Sequence, residues 1–562
     1  MSHSRLFDAV RRALALAKVC DEQNVSARSA IAQRQEATER ARKAMERRAF
    51  MGGIAAAGAG IAIGGSFGKA KADPKPPSTA RVAIIGGGLA GMACADRLRA
   101  KGISAVVYEA NSRLGGRCYS SHLFPGQTVE MGGELIDNAH KNMLGYAQEF
   151  KLAKEDLGKE PGDVAYYFFG QHHSEAEVVD EMRVLVGRMR DDIALLSSAP
   201  DFYNHTIYDT LFDYTSMADY LQSRAGDLPL VSAVLEQAYI AEYGRELSEQ
   251  SVLNFLFFIR ADRRSKFEPF GSSDERYHLV NGNDQIIAGI RDRLPGPVVT
   301  GARLTGLRRL ASGQYAMSFS GSSSEEYADS VVLAIPFSVL RTVALDPSLG
   351  LSQDKLRAIT ELGYGFNAKT MIGFDARPWI ELHGGNGTAY SDLPDVQNTW
   401  ETNYSQAVGH AVLTDYSGGD RGYRLQRPAV GGGSTCASCH IGAPSAVVID
   451  DTQMQLHADA FLTDLDKVYP GAKAAATHSG GKYVMQFAHW LNQSTSRGSY
   501  TCYLPGQFTT LAGLEGEAAD LLKFAGEHAD SFYWWQGFME GAVRSGIRAA
   551  NEILEDIKKG RL

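Results

Sequence analysis

The chain has 562 residues, 44% of them hydrophobic and 22% charged. That is enough for two or three domains, in a balance that excludes both a disordered chain and a membrane bundle. The formal net charge is -8, yet residues 1–72 hold 13 Lys+Arg against 6 Asp+Glu, so the remainder is strongly anionic and nucleic acid is excluded as a partner.

The first 72 residues read as a leader. Paired Arg47 and Arg48 precede Phe50 and a Gly/Ala-rich apolar run, and Ala70-Lys71-Ala72 closes it with a small-x-small pattern. This resembles a bacterial twin-arginine export signal cleaved after about Ala72, which places the mature protein in the periplasm or otherwise outside the cytoplasm, with the twin-arginine translocase as a partner during export. A membrane anchor or flexible linker is the alternative reading. The start, at Met1 or Met45, stays open.

From residue 81 the pattern is strand, turn, helix, strand. Val82–Ile85 is an apolar run that predicts a buried parallel strand, and Gly86, Gly88 and Gly91 follow as GxGxxG. The first glycine permits a tight turn, the second lets backbone approach a pyrophosphate, and the third lets helix pack on strand. Glu109 ends the second strand 21 residues after Gly88, where a carboxylate accepts hydrogen bonds from a ribose. Arg113, Gly116 and Arg117 in "EANSRLGGR" supply a second glycine pair with two guanidinium groups to clamp the far side of a pyrophosphate. Residues 140–275 read as mostly helical, with periodic runs such as "SEAEVVDEMRVLVGRMRDDIALL". Near the end, a short strand precedes Gly526 and Glu527. A long helix beginning near Gly537 has a first turn, including Met539, suited to an electron-rich ring carbonyl.

Several motifs then fall in order: the glycine loop, "EANSRLGGR", "VEMGGELID" (129–137), "HLVNGNDQI" (278–286), "ADSVVLAIPFSVLR" (328–341), "NAKTMIGFDARPW" (367–379), "RGSYTCYLPGQF" (497–508), "FAGEH" and "GFMEGA". With these the chain resembles the flavin-dependent amine oxidase family, which includes monoamine and polyamine oxidases and bacterial L-amino-acid oxidases. The resemblance implies an α/β fold in which an FAD-binding Rossmann-like domain, assembled from separated segments, is interleaved with a mixed-sheet substrate domain and a helical cap. The implied segments are the leader (1–72), the FAD domain in three parts (73–139, 276–345, 505–562), the cap (140–275), and the rest of the substrate domain (346–504) with a Gly-rich loop at about 417–446. No internal repeat is visible, and oligomeric state is not encoded in any motif.

The same resemblance implies three reacting-centre residues. Lys369 matches the lysine that holds a water against flavin N5, its alternative being a surface lysine on an edge strand. Tyr500 and Phe538 match the two walls of an aromatic cage around the amine, against an alternative of core packing. Adjacent Trp534 and Trp535 are not expected to enter one pocket together. Ser499 stands where monoamine oxidases carry the cysteine that bonds FAD, so FAD is expected to be noncovalent. Glu134 stands near the place of the arginine that grips a substrate carboxylate in L-amino-acid oxidases. A second substrate ammonium suits it better, which favours an amine or polyamine over an amino acid unless Arg260, Arg263 or Arg264 reaches in. L-amino-acid oxidase or tryptophan 2-monooxygenase chemistry is thus the alternative, and a flavin electron carrier without turnover, or a desaturase, ranks lower.

One motif lies outside this set. Cys436, Cys439 and His440 in "GGGSTCASCHIGAPS" have the CxxCH spacing of c-type haem attachment, while a Cys436–Cys439 disulfide or a metal loop fits the same residues. Haem would route electrons to a cytochrome; without it, oxygen or a soluble carrier takes them. Cys94 and Cys118, flanking the nucleotide loop, are expected as reduced core thiols.

Overall fold

In the computed structural model the described residues are 80–562, except 123, 125, 158–161, 261–274, 403–409 and 426–451, together with short stretches between 16 and 35. The leader motif, Arg263, Arg264 and the CxxCH residues lie outside them.

The elements that position the site are, in chain order, β1 (Val82–Ile85), α1 (Leu89–Arg99), β2 (Ala105–Tyr108), β3 (Asp163–Phe168), β4 (Gln171–His173), α2 (Glu175–Leu195), α3 (Pro229–Tyr243), β5 (Val298–Val299), β6 (Ser330–Leu333) and β7 (Ala368–Phe374). There follow β8 (Gly385–Ser391), β9 (Asn398–Glu401), β10 (Ala411–Ser417), α4 (Thr452–Val468), β11 (Met485–His489), β12 (Leu522–Phe524) and α5 (Met539–Lys558).

One sheet has the order β12-β6-β1-β2-β5 and is parallel throughout. Such a sheet needs cover on both faces, and its apolar β1 and β6 receive it. Ile84 and Val332 face α1 and α5 through Met92, Leu98, Val543 and Ile553. Ile85 and Leu333 face a second, four-stranded sheet (Leu304–Arg309, Tyr315–Phe319, Glu326–Ala328, Ala344–Leu345), where Tyr108 stacks on Phe319 at 4.7 Å. Gly91 allows α1 to lie against the turn: a Cβ there would sit 1.9 Å from the Gly86 carbonyl oxygen. Gly86 itself has φ +110°, open to glycine at no steric cost.

A seven-stranded mixed sheet, β11-β7-β10-β9-β8-β3-β4, forms the other half. All pairs are antiparallel except β8 with β3. Within 140–275, expected to be mostly helical, helices do cover most of the described residues, but β3 and β4 form a hairpin on the edge of this sheet. The run "DVAYYF" is β-branched and aromatic, a composition that fits a pleated surface better than a helix. Helical structure resumes with α2, whose start carries a reciprocal cap: Ser174 accepts from the Glu177 N–H, and Glu177 accepts from the Ser174 N–H.

Strand alternation sorts β7 between two surroundings. Ile372 and Phe374 join Met454, Phe461 and Leu465 of α4 in one core. Met371, on the opposite face, packs with Phe124, Val129 and Met131 toward the parallel-sheet half. Lys369 shares that second face.

Candidate active site

A cavity open to solvent joins the two halves. Its lining includes Gly86, Gly88 and Glu109 at the parallel sheet, Arg117, Gly132 and Gly133, and Lys369, Tyr416, Tyr500 and Phe538.

Glu109, 5% exposed, ends up just past β2 and is pinned from both sides: its carboxylate accepts from the Gly87 N–H at 2.8 Å and the Asn111 N–H at 2.8 Å. Two helices open onto the cavity. α1 begins after Gly88 and α5 after Phe538, and neither N-terminus is capped by a side chain. Backbone N–H groups and the positive end of each helix dipole therefore point where an anionic or electron-rich group can sit.

The two arginines of "EANSRLGGR" divide their work. Arg113 does not line the cavity; it donates to the carbonyls of Leu114 (3.0 Å) and Gly116 (2.8 Å) and lies over the Tyr119 ring at 4.1 Å. These bonds shape the loop after β2. Arg117 does line the cavity, donating to the Ser499 carbonyl at 2.7 Å and to Glu527 at 2.9 Å. The other Glu527 oxygen accepts from Thr501 at 2.9 Å. Gly526 and Met539 also line it, while Gly116 sits opposite Gly88, whose Cα lies 3.5 Å from where a Gly116 Cβ would be.

Gly132 and Gly133 are required by close approach. A Cβ on Gly132 would lie 1.8 Å from the Arg117 carbonyl oxygen, and one on Gly133 would lie 2.8 Å from the Met539 sulfur. This segment brings the carbonyls of Glu130 and Gly132 and the Glu134 side chain to Lys369.

Lys369 is an interior-strand residue, 2% exposed, and lines the cavity. It is in register with Tyr416 on β10, and cross-strand partners present their side chains on one face. Its Nζ donates to the carbonyls of Glu130 (2.9 Å) and Gly132 (3.0 Å) and to the Glu134 carboxylate (2.7 Å). Glu134, 1% exposed, accepts from the Trp400 indole with its other oxygen at 3.0 Å. The expectation that Glu134 awaits a substrate ammonium is corrected: it does not line the cavity, and the chain's own lysine occupies it.

Tyr500 donates to the Glu242 carbonyl and meets the Tyr416 hydroxyl at 2.9 Å. Burial, with the neighbouring Tyr416 and Glu242, pushes its hydroxyl well above the usual phenol range, so it stays protonated. Phe538 packs edge-on against His140 (5.3 Å) and Trp535 (5.2 Å). Trp534 is 63% exposed, so the adjacent tryptophans do part company. Trp490 lines the cavity and donates to the Met131 carbonyl at 3.1 Å. Trp490 stands close in sequence to the cage motifs, whereas Tyr416 escaped the sequence reading because its place depends on strand register.

Ser499 donates to Asn367 at 2.6 Å, and Cys502 is a buried thiol, as are Cys94 and Cys118. Among the described residues no group of three His, Cys, Asp or Glu side chains is placed to hold a metal. A glycine cradle, an acid pinned for a ribose and two uncapped helix ends in one cavity fit an FAD molecule in both its charged and its ring portions.

These features define a dinucleotide-binding fold with an aromatic-lined cavity. Residues 89–554 match the flavin-containing amine oxidoreductase family, and the chain belongs to it. It is similar to nicotine dehydrogenase of Pseudomonas putida (23% identity over 526 residues, 90% of this chain and 96% of that protein). The flavin-dependent L-tryptophan oxidase of Lentzea aerocolonigenes is 25% identical over 511 residues, 84% and 98% of the two chains. Among solved structures, cyclohexylamine oxidase from Brevibacterium oxydans superposes with a TM-score of 0.68 at 19% identity, covering 86% of this chain and 100% of that one. Putrescine oxidase bound to putrescine gives 0.67 at 18% identity, covering 85% and 100%.

Proposed function

We propose that this flavoprotein oxidises the C–N bond of an amine lacking a carboxylate, a mono- or polyamine, to an imine that water hydrolyses to an aldehyde or ketone. FAD, bound noncovalently, would supply the two-electron sink for oxidation of the carbon that bears the nitrogen. Gly86, Gly88, Gly91, Glu109 and Arg117 would hold its nucleotide portion, and the start of α5 with Gly526, Glu527 and Met539 its ring portion. Ser499 has no thiol to bond the ring. Tyr500, fixed through its hydroxyl by Tyr416 and the Glu242 carbonyl, and Phe538, fixed by His140 and Trp535, form water-excluding walls that favour the neutral amine, the form with a free lone pair.

The observation that carries the reading is the meeting of Lys369, Tyr416, Tyr500 and Phe538 in the cavity that begins at the glycine loop. Two further arginine facts favour an amine over an amino acid. Of the described cavity-lining arginines, Arg117 is held by Glu527 and Arg303 by Ser494. Neither is offered to a substrate carboxylate. The second reading, amino-acid oxidation, draws on the likeness to an L-tryptophan oxidase.

Anaerobic mixing with monoamines, polyamines and L-amino acids separates the two. Bleaching of the flavin by amines is expected, bleaching by amino acids alone selects the second reading, and no bleaching leaves a flavin carrier. Re-admission of air against addition of a cytochrome identifies the electron acceptor. A haemochrome spectrum of the purified protein tests haem c on Cys436, Cys439 and His440; its absence removes haem from the relay. Export through the twin-arginine translocase to the periplasm is proposed from Arg47, Arg48 and the Ala70–Ala72 pattern, and fractionation of cells carrying Arg47→Lys/Arg48→Lys tests it.

A further inference from the structure

The Lys369–Glu134 pair has a consequence for the ring it faces. Lys369 lines the cavity, whereas Glu134 lies behind it, so any charge that reaches the reacting end from this corner is that of the pair and not of the lysine alone. Three donors of Nζ are directed to chain acceptors, and Glu134 is held from its other side by Trp400. The lysine is thus fixed in position. The Trp400 ring lies 5.6 Å from Nζ, adding a neutral wall and not a second charge.

We propose that Glu134 is a positioning residue that holds Lys369 and cancels its charge beside the flavin, setting how readily the ring takes up electrons. The inference rests on the flavin reading above. Two-electron reduction of a flavin with uptake of one proton leaves the ring one charge more negative. An isolated neighbouring cation favours that state, and a neutralised one favours it far less. Glu134 touches neither substrate nor cavity; it acts through the ammonium.

The test is the two-electron reduction equilibrium of the bound flavin, measured by spectral titration of the intact holoprotein against a dye of known potential. Glu134→Gln keeps the volume and removes the negative charge, and its single carbonyl oxygen can still accept from Lys369 while the contact with Trp400 is given up. It should favour the reduced ring by about tenfold, near 30 mV for a two-electron couple. Lys369→Met uncovers the carboxylate and should shift the equilibrium about tenfold the other way, so the proposal stays testable if one variant fails to fold. Trp400→Phe loosens Glu134 without altering charge and should leave the equilibrium where it is. An unchanged or lowered equilibrium in Glu134→Gln, an unchanged one in Lys369→Met, or a Trp400→Phe shift as large as that of Glu134→Gln overturns the inference. A protein that binds no flavin fails the functional reading instead, and the two failures are told apart by the visible spectrum before any titration.

Discussion

Gly91 carries more of the architecture than its size suggests. It lies inside α1, where glycine costs helix stability relative to alanine, yet a Cβ would press on the Gly86 carbonyl at 1.9 Å. Backbone cannot yield as a side-chain tip can. Gly91→Ala is expected to cost about 3 kcal/mol and to leave the purified protein largely colourless. The ratio of flavin to protein absorbance, with the thermal midpoint, measures both. The glycine was legible because its reason is local: turn, phosphate approach and helix contact all fall within six residues. The partner of Lys369 was not legible, because Glu134 is 235 positions away and meets the lysine only through the pairing of two halves. The local hydrogen bonds of Arg113 were not legible for a different reason. Its neighbours in sequence, Leu114 and Gly116, are its hydrogen-bond acceptors, and residue type alone does not say which way a guanidinium turns.

At the scale of elements, the loop after β2 is tied to the segment after β12 by Arg117 and Glu527, with Thr501 on the far oxygen. Three separated stretches of chain are joined in that one contact. The guanidinium is 22% exposed, so solvent screens part of the attraction. Arg117→Met is expected to cost about 1–2 kcal/mol, most of it from leaving Glu527 buried with its ion-pair partner gone. A double-mutant cycle with Glu527→Gln should return a coupling near 1 kcal/mol by chemical denaturation. The parallel sheet was legible in β1 and β2, where apolar runs flank the glycines. The β3–β4 hairpin was not, since its short strands sit between helical patterns and gain their stability from β8, more than 200 residues later.

For the molecule as a whole, pH enters through a buried acid. Burial pushes the Glu130 carboxyl up to about 8, despite hydrogen bonds from Asn283 and Ser120 that work in the opposite direction. In the unfolded chain it would ionise near the ordinary value of 4.5. The folded state therefore holds one more proton between those limits. Stability contributed by this group is full below about 4.5, declines by roughly 1.4 kcal/mol per pH unit as pH rises, and levels off above about 8. Glu130→Gln should flatten that decline, read as denaturation midpoints across the window. The order of the parallel sheet has another outcome. Its β12 edge lies more than 400 residues after β1, and α5 after it lies against α1. Synthesis must therefore run past Leu522 before the nucleotide cradle can close, and a nonsense codon between Gly91 and Leu522 is expected to yield a product with every phosphate-loop glycine present and nowhere for the coenzyme to stay.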